Sequence, residues 1–185
     1  RKVRNTARFL LSNLFDFEPA TNAVATERLE PFDRLLVARA ALLVSECREA
    51  YDRFEFHTVA RRLREFATTD LSALWCDVRK DALFVLGKDD PARRSAQTAA
   101  YRIAEALALL LHPICPFTAE EIWEALPGHE GGTPALATWD DLRLAEISDE
   151  GHAAWGRLLD VRAAFVSALE PLRRDGVVGT SAQAR

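Results

Sequence analysis

Apolar residues recur at intervals of three and four along almost the entire chain, and proline and glycine cut that pattern into helix-sized lengths. Such spacing puts the apolar side chains on one stripe of a helix, which must be buried against another stripe. The expected fold is therefore all-α, a helical bundle. Val3, Ala7, Leu10, Leu14 and Phe17 form the first stripe, with the helix ended by Glu18-Pro19 because proline biases its predecessor away from helical geometry. A polar connector runs to about Glu30. A second helix starts at Pro31 and reaches Tyr51 or Phe54, and a third carries Phe56, Val59, Leu63 and Phe66. Thr68, Thr69, Asp70 and Ser72 compete for backbone hydrogen bonds, which predicts a kink or break near Asp70.

Gly87 to Pro91 reads as a stop and restart. The Ala/Leu-rich helix from Pro91 to Leu111 is the most apolar and is expected at the bundle centre. Thr118 and Glu121 have capping-box spacing for a short helix that ends at Leu126-Pro127-Gly128. The expected organisation is one domain over residues 1–185. Its main bundle covers about 1–127, an irregular segment with a short extended piece near Leu136–Trp139 covers about 128–148, and a final long helix covers about 149–174.

Composition narrows the function. The chain has 185 residues, 49% hydrophobic and 28% charged, with a net charge of −4. That is globular composition, with no apolar run near the ~18 residues a membrane span needs. An acidic body is no general polyanion binder, so a nucleic-acid site must be a local basic face. Cys47, Cys76 and Cys115 form no CxxC pair and stand at no zinc spacing, so neither a disulfide framework nor a metal site is expected; buried cysteines in a reducing cytosol are. Methionine is absent and the chain opens inside an amphipathic pattern, so it is expected to be a piece of a longer polypeptide.

Catalytic patterns are missing: no GxGxxG, no P-loop, no GxSxG and no HExxH. Glu120-Glu121 and Asp89-Asp90 are read as charge complementing helix N-termini. The functional candidate is the first helix. Arg1, Lys2, Arg4 and Arg8 are four cations with no acid before Asp16, and Asn5 lies among them. Arginines at that spacing can span phosphates or stack on unpaired bases, and Asn5 can read a base edge. The competing reading is a solvated charged face. Arg93 and Arg94, with Arg102 beyond, form a second basic cluster, and Trp75 and Trp123 are expected in the core.

The order of motifs adds a resemblance. Arg1-Lys2-Val3-Arg4-Asn5-Thr6-Ala7-Arg8-Phe9-Leu10, then Asp16-Phe17-Glu18-Pro19, resembles the opening of the anticodon-binding domain of the isoleucyl-tRNA synthetase family, a class I group. Asp70-Leu71-Ser72 with Asp77, Lys80-Asp81 and Leu83 is similar to the family's D-L-S-x-x-Y-x-D-x-x-K-D-x-L-Y stretch. Arg93 to Thr98 and Pro113 to Trp123 resemble the next two signatures, and Val178-Gly179-Thr180-Ser181 resembles the turn after the final helix. The chain departs from the pattern at Trp75 and Phe84, where the family has tyrosine, and at Phe15, a position more often polar.

What this resemblance implies is a tRNA-binding module of an isoleucine–tRNA ligase, gripping the anticodon stem and loop through Arg1, Lys2, Arg4, Asn5, Arg8, Arg93 and Arg94. It also implies a module that performs no bond chemistry itself. ATP and magnesium would belong to a catalytic domain with H-I-G-H and K-M-S-K-S motifs upstream, and zinc to a cysteine-rich tail downstream. The module would be a cytoplasmic monomer with tRNA as partner, and neither DNA nor a membrane. The valine and leucine enzymes share the Pro113 to Trp123 motif and remain the alternative, as does a helical scaffold docking a protein.

Overall fold

In a computed structural model, which describes residues 1–144 and 149–179, every regular element among the described residues is helical and none is a strand. They fall into two compact units, Arg1–Glu146 and Ile147–Arg185. None of the described helices is long and apolar enough to cross a membrane.

In the first unit α1 spans Lys2–Ser12 and buries Thr6, Ala7 and Leu10. It stops short of the expected Glu18-Pro19 boundary. Asn13 donates its side-chain amide to the Phe9 carbonyl at 2.7 Å and its backbone N–H to Leu10 at 3.1 Å, which satisfies carbonyls left open at the helix end. Leu14 and Phe17 still reach the core, but through two consecutive turns (Leu14 N–H to Leu11 O and Phe17 N–H to Leu14 O, 3.0 Å each). Pro19 then opens a one-turn helix, α2 (Pro19–Asn22), and a 3-10 turn follows at Thr26–Arg28.

α3 (Pro31–Asp52) starts at its proline as expected. It ends in a Schellman arrangement, in which Glu55 N–H bonds Ala50 O at 2.8 Å and Phe54 N–H bonds Tyr51 O at 2.9 Å. The position normally left to glycine is occupied by Phe54, at φ 58° and 79% exposed. A bulky side chain held in the left-handed region without burial costs about 1 kcal/mol or more. Phe54→Gly is therefore expected to stabilise the fold by about 0.5–1 kcal/mol in urea denaturation, after the glycine's greater unfolded-state freedom is subtracted.

Beyond α4 (Phe56–Glu65) the chain does not break near Asp70. It winds on as a π-helix over Phe66–Trp75 and passes into α5 (Cys76–Val78). Thr68 Oγ1 donates back to the carbonyls of Arg64 (2.8 Å) and Glu65 (3.4 Å), so the side-chain competition is met by wider winding rather than by a break. Asp70 stays buried near Arg39, with 3.8 Å between charged atoms.

α6 (Lys80–Phe84) leads to α7 (Pro91–Leu111), the centre of this unit: 16 of its 21 residues are buried, and α1, α3, α6 and α8 pack on it. Asp90 caps its start, accepting from Ala92 N–H at 2.8 Å. The alanines let neighbours approach, while a polar row pins down the connector that the sequence leaves without long helices. Ser95 Oγ accepts from Glu30 N–H (2.8 Å), Thr98 Oγ1 from Val24 N–H (3.0 Å), and Gln97 Nε2 donates to Asn13 O (2.9 Å). Arg102 donates to Thr26 Oγ1 and to Val24 O, both at 3.0 Å.

α8 (Pro116–Glu124) begins at Pro116, so Thr118 is its third residue and not its cap. Proline in the first turn sets the start. Glu121, a turn further in, is free to face α1. A capping box forms instead at Thr138, whose N–H (3.0 Å) and hydroxyl (2.7 Å) both donate to Asp141, with Asp141 N–H on Thr138 O. These bonds from Thr138 hold the Asp141 carboxyl below its ordinary pKa. The described part of the irregular segment thus contains two 3-10 turns, Pro134–Leu136 and Trp139–Asp141, with only Ala137 and Thr138 extended between them.

The second unit contains α9 (Asp149–Arg174), closed by another Schellman arrangement, here with Gly176 at φ 72°. Thr180 and Ser181, from the turn expected after this helix, lie outside the described residues.

Candidate nucleic-acid interface

The amphipathic pattern of α1 fixes which of its side chains can meet a ligand. With Ala7 and Leu10 buried and the Thr6 hydroxyl donating to Lys2 O and Ala67 O (3.2 Å each), the helix is keyed to the π-helical segment. Arg1, Lys2, Arg4, Asn5 and Arg8 are left exposed, on one continuous face. Arg4 alone among these cations has an acidic partner among the described residues: its Nη2 lies 2.7 Å from Glu121 Oε1, both side chains more than half exposed. An exposed pair of this kind contributes only about 0–1 kcal/mol, so Arg4 can exchange Glu121 for a phosphate at little cost.

Grooves flank this face. One, of about 760 Å³, runs between α1, α4 and the start of α8, and includes Arg1, Arg4, Arg64 and Cys115. A second, of about 470 Å³, lies between α1 and the π-helical segment, and includes Lys2, Asn5 and Lys80. A third, of about 260 Å³, holds Arg4 and Arg8 beside Glu121. Arg64 and Lys80 were not among the expected binding residues. The helical period places Arg64 on the outer face of α4, and only the packing of α4 beside α1 brings it to the groove.

Arg93 and Arg94 do not form the second basic patch expected for them. Arg93 is buried and donates to Leu83 O and, at 3.0 Å, to Asp16 Oδ1. Arg94 donates to Asp16 O at 2.9 Å and Gln97 Oε1 at 2.7 Å. Both turn inward because Asp16, on the turns after α1, sits against the first turn of α7. Burial pushes the Asp16 pKa up, but hydrogen bonds from Gln97 and Arg93 and the charges of Arg93 and Arg94 outweigh it and hold the carboxyl below its ordinary value. Trp75 and Trp123 are core residues, as expected, whereas Cys115 is exposed instead of buried. Among the described residues no cluster of three or more His, Cys, Asp or Glu side chains is placed to hold a metal ion.

This arrangement suits charge neutralisation of a backbone on one helix face, with neutral polar side chains between the cations. The family described as the anticodon-binding domain of tRNA ligase matches residues 33–185. The chain belongs to this family. The domain is also similar to the isoleucine–tRNA ligases of Alkalilimnicola ehrlichii (48% identical), Halorhodospira halophila (45%) and Nitrosococcus oceani (42%), each aligned over the whole of this chain. Those alignments include α1, which the family match leaves out. The chain spans about a fifth of the length of these relatives.

Proposed function

We propose that this domain is the anticodon-binding part of an isoleucine–tRNA ligase and that the exposed face of α1 grips the anticodon stem and loop of its tRNA. The observation that carries the reading is the basic face itself. On an acidic chain, Arg1, Lys2 and Arg8 face solvent with no acidic partner among the described residues, in a family that binds anticodons. Relatives aligned over the full chain favour isoleucine over the valine and leucine enzymes.

On this reading the domain makes and breaks no bonds. ATP and magnesium act in a catalytic part of the same polypeptide, and any zinc is held in its tail. The protein works as a cytoplasmic monomer. The domain contributes phosphate neutralisation and base contacts that position the tRNA.

Arg8→Ala is the test. Arg8 lies off the buried stripe, so folding stability should change by less than about 0.5 kcal/mol. Affinity for an isoleucine-accepting tRNA should fall, and the slope of log affinity against log salt should flatten by about 0.7–0.9. Arg4→Ala should flatten it less, because losing Glu121 offsets part of the gain. Wild-type affinity and slope in both variants would remove α1 from the tRNA surface.

A further inference from the structure

The groove between α1 and the π-helical segment differs in character from the rest of the basic face. Its mouth carries Lys2, Lys80 and Asp77, but Lys80 Nζ lies 2.6 Å from Asp77 Oδ1, so only Lys2 contributes an uncompensated charge. A phosphate gains little here. Deeper in, the lining is neutral. Phe9, half-buried, supplies an aromatic surface and is steadied edge-on by Phe84, at 6.0 Å between ring centres and 80°. Cys76 is buried, and burial pushes its thiol up to about 12, so it is an uncharged part of the wall.

The hydrogen-bonding groups sort in the same way. Thr6 and Thr68 already donate to main-chain carbonyls. The Asn5 carboxamide and the Ser72 hydroxyl have no partner among the described residues, and both border the groove. Winding as a π-helix, a form that recurs at functional sites, gives the wall opposite Asn5 its shape. At about 470 Å³ the groove falls within the range of small-ligand sites. An aromatic surface, free neutral donors and acceptors, and one cation at the rim are what a single unstacked base with its phosphate requires.

From this juxtaposition we infer that the groove seats one splayed base of the tRNA loop, stacked on Phe9 with its edge on Asn5 and Ser72. A carboxamide holds a donor and an acceptor side by side, which complements the adjacent donor and acceptor on the free edge of an unpaired base. The inference rests on the tRNA reading above and adds to it a seat for one base.

The test uses the full 185-residue chain and a hairpin RNA with the anticodon stem and loop of an isoleucine-accepting tRNA, each loop base being removed in turn to leave an abasic sugar. With the wild-type chain, one abasic position should weaken binding about tenfold or more. Asn5→Ala should weaken binding of the intact hairpin by a similar factor and make that one abasic RNA no worse than the intact one. At every other loop position the two losses should multiply. Ser72→Ala should show the same localised pattern at smaller size, and circular dichroism should show both variants folded, since both side chains are exposed. The groove is excluded as a base site if Asn5→Ala and Ser72→Ala bind like wild type, or if their losses spread evenly over all positions. It is equally excluded if no single abasic position stands out with the wild-type chain. Should Arg8→Ala flatten the salt slope while Asn5 proves inert, the groove alone falls; should the wild-type chain bind no hairpin, the tRNA reading falls with it.

Discussion

Asp33→Ala is expected to destabilise the domain by about 3–5 kcal/mol, the range for removing one partner of a buried charge pair. Asp33 lies in the first turn of α3 and is fully buried. Its Oδ1 accepts from Trp75 Nε1 and from Arg79 Nε, both at 2.8 Å, and its Oδ2 accepts from Ser95 Oγ at 2.6 Å. One carboxylate therefore ties α3 to the end of the π-helical segment, to the α5–α6 junction and to α7. Alanine would leave a largely buried guanidinium, an indole N–H and a hydroxyl without their acceptor, and each is costly where water cannot replace it. Asparagine keeps the Oδ1 acceptor but loses the charge facing Arg79 and turns a donor toward Ser95, so Asp33→Asn should cost about 1–3 kcal/mol. Urea denaturation of the three proteins measures the order. A cost below about 1 kcal/mol for alanine would mean that the network does not hold these helices together.

Much of the bundle was legible because its determinants are local. Pro31 and Pro91 start helices at the residues expected, and the Ala/Leu run of α7 is central because a helix apolar on most faces has to be enclosed. Local signals misled where two of them competed. Thr118 has the chemistry of a cap, yet Pro116 two residues earlier sets the start of α8, which sends Glu121 to Arg4. The threonines near Asp70 do disturb the α-helix, but whether a disturbed helix breaks or widens depends on the packing around it, and here Phe66, Ala67, Leu71 and Trp75 are all held in the core. At the candidate site the basic face of α1 could be read from the period, since all its members share one helix. Direction across the fold could not. Arg93 and Arg94 look as basic as Arg4 and Arg8, but their partner Asp16 lies nearly eighty positions away, and charge alone does not say whether an arginine meets solvent or a carboxylate.

That difference can be measured. Arg93→Ala is expected to cost about 3 kcal/mol, the low end of the range for breaking a buried pair, because Asp16 is partly exposed and keeps Gln97 Nε2 at 2.6 Å. The loss should depend on pH. With its pKa lowered in the fold, Asp16 contributes stability that is fully present above the ordinary aspartate value of about 4 and is lost as pH falls through the lower folded value. Arg93→Ala removes one hydrogen bond and one charge that hold the value down, so the gap between wild type and variant should be widest near neutral pH and shrink as the solution is acidified below about pH 4. What remains in acid is the contact with Leu83 O and the guanidinium's packing over Phe15, 5.6 Å from the ring centre. Arg93→Lys restores a point charge but not the planar fork that reaches Leu83 and Asp16 together, so it should recover part of the gap and flatten its pH dependence less than alanine does. Under conditions where each variant is folded, both should bind tRNA with the wild-type salt slope, the reverse of the result expected for Arg8→Ala. A flattened slope with stability unchanged would instead place Arg93 on the RNA-binding surface and make Asp16 a dispensable partner.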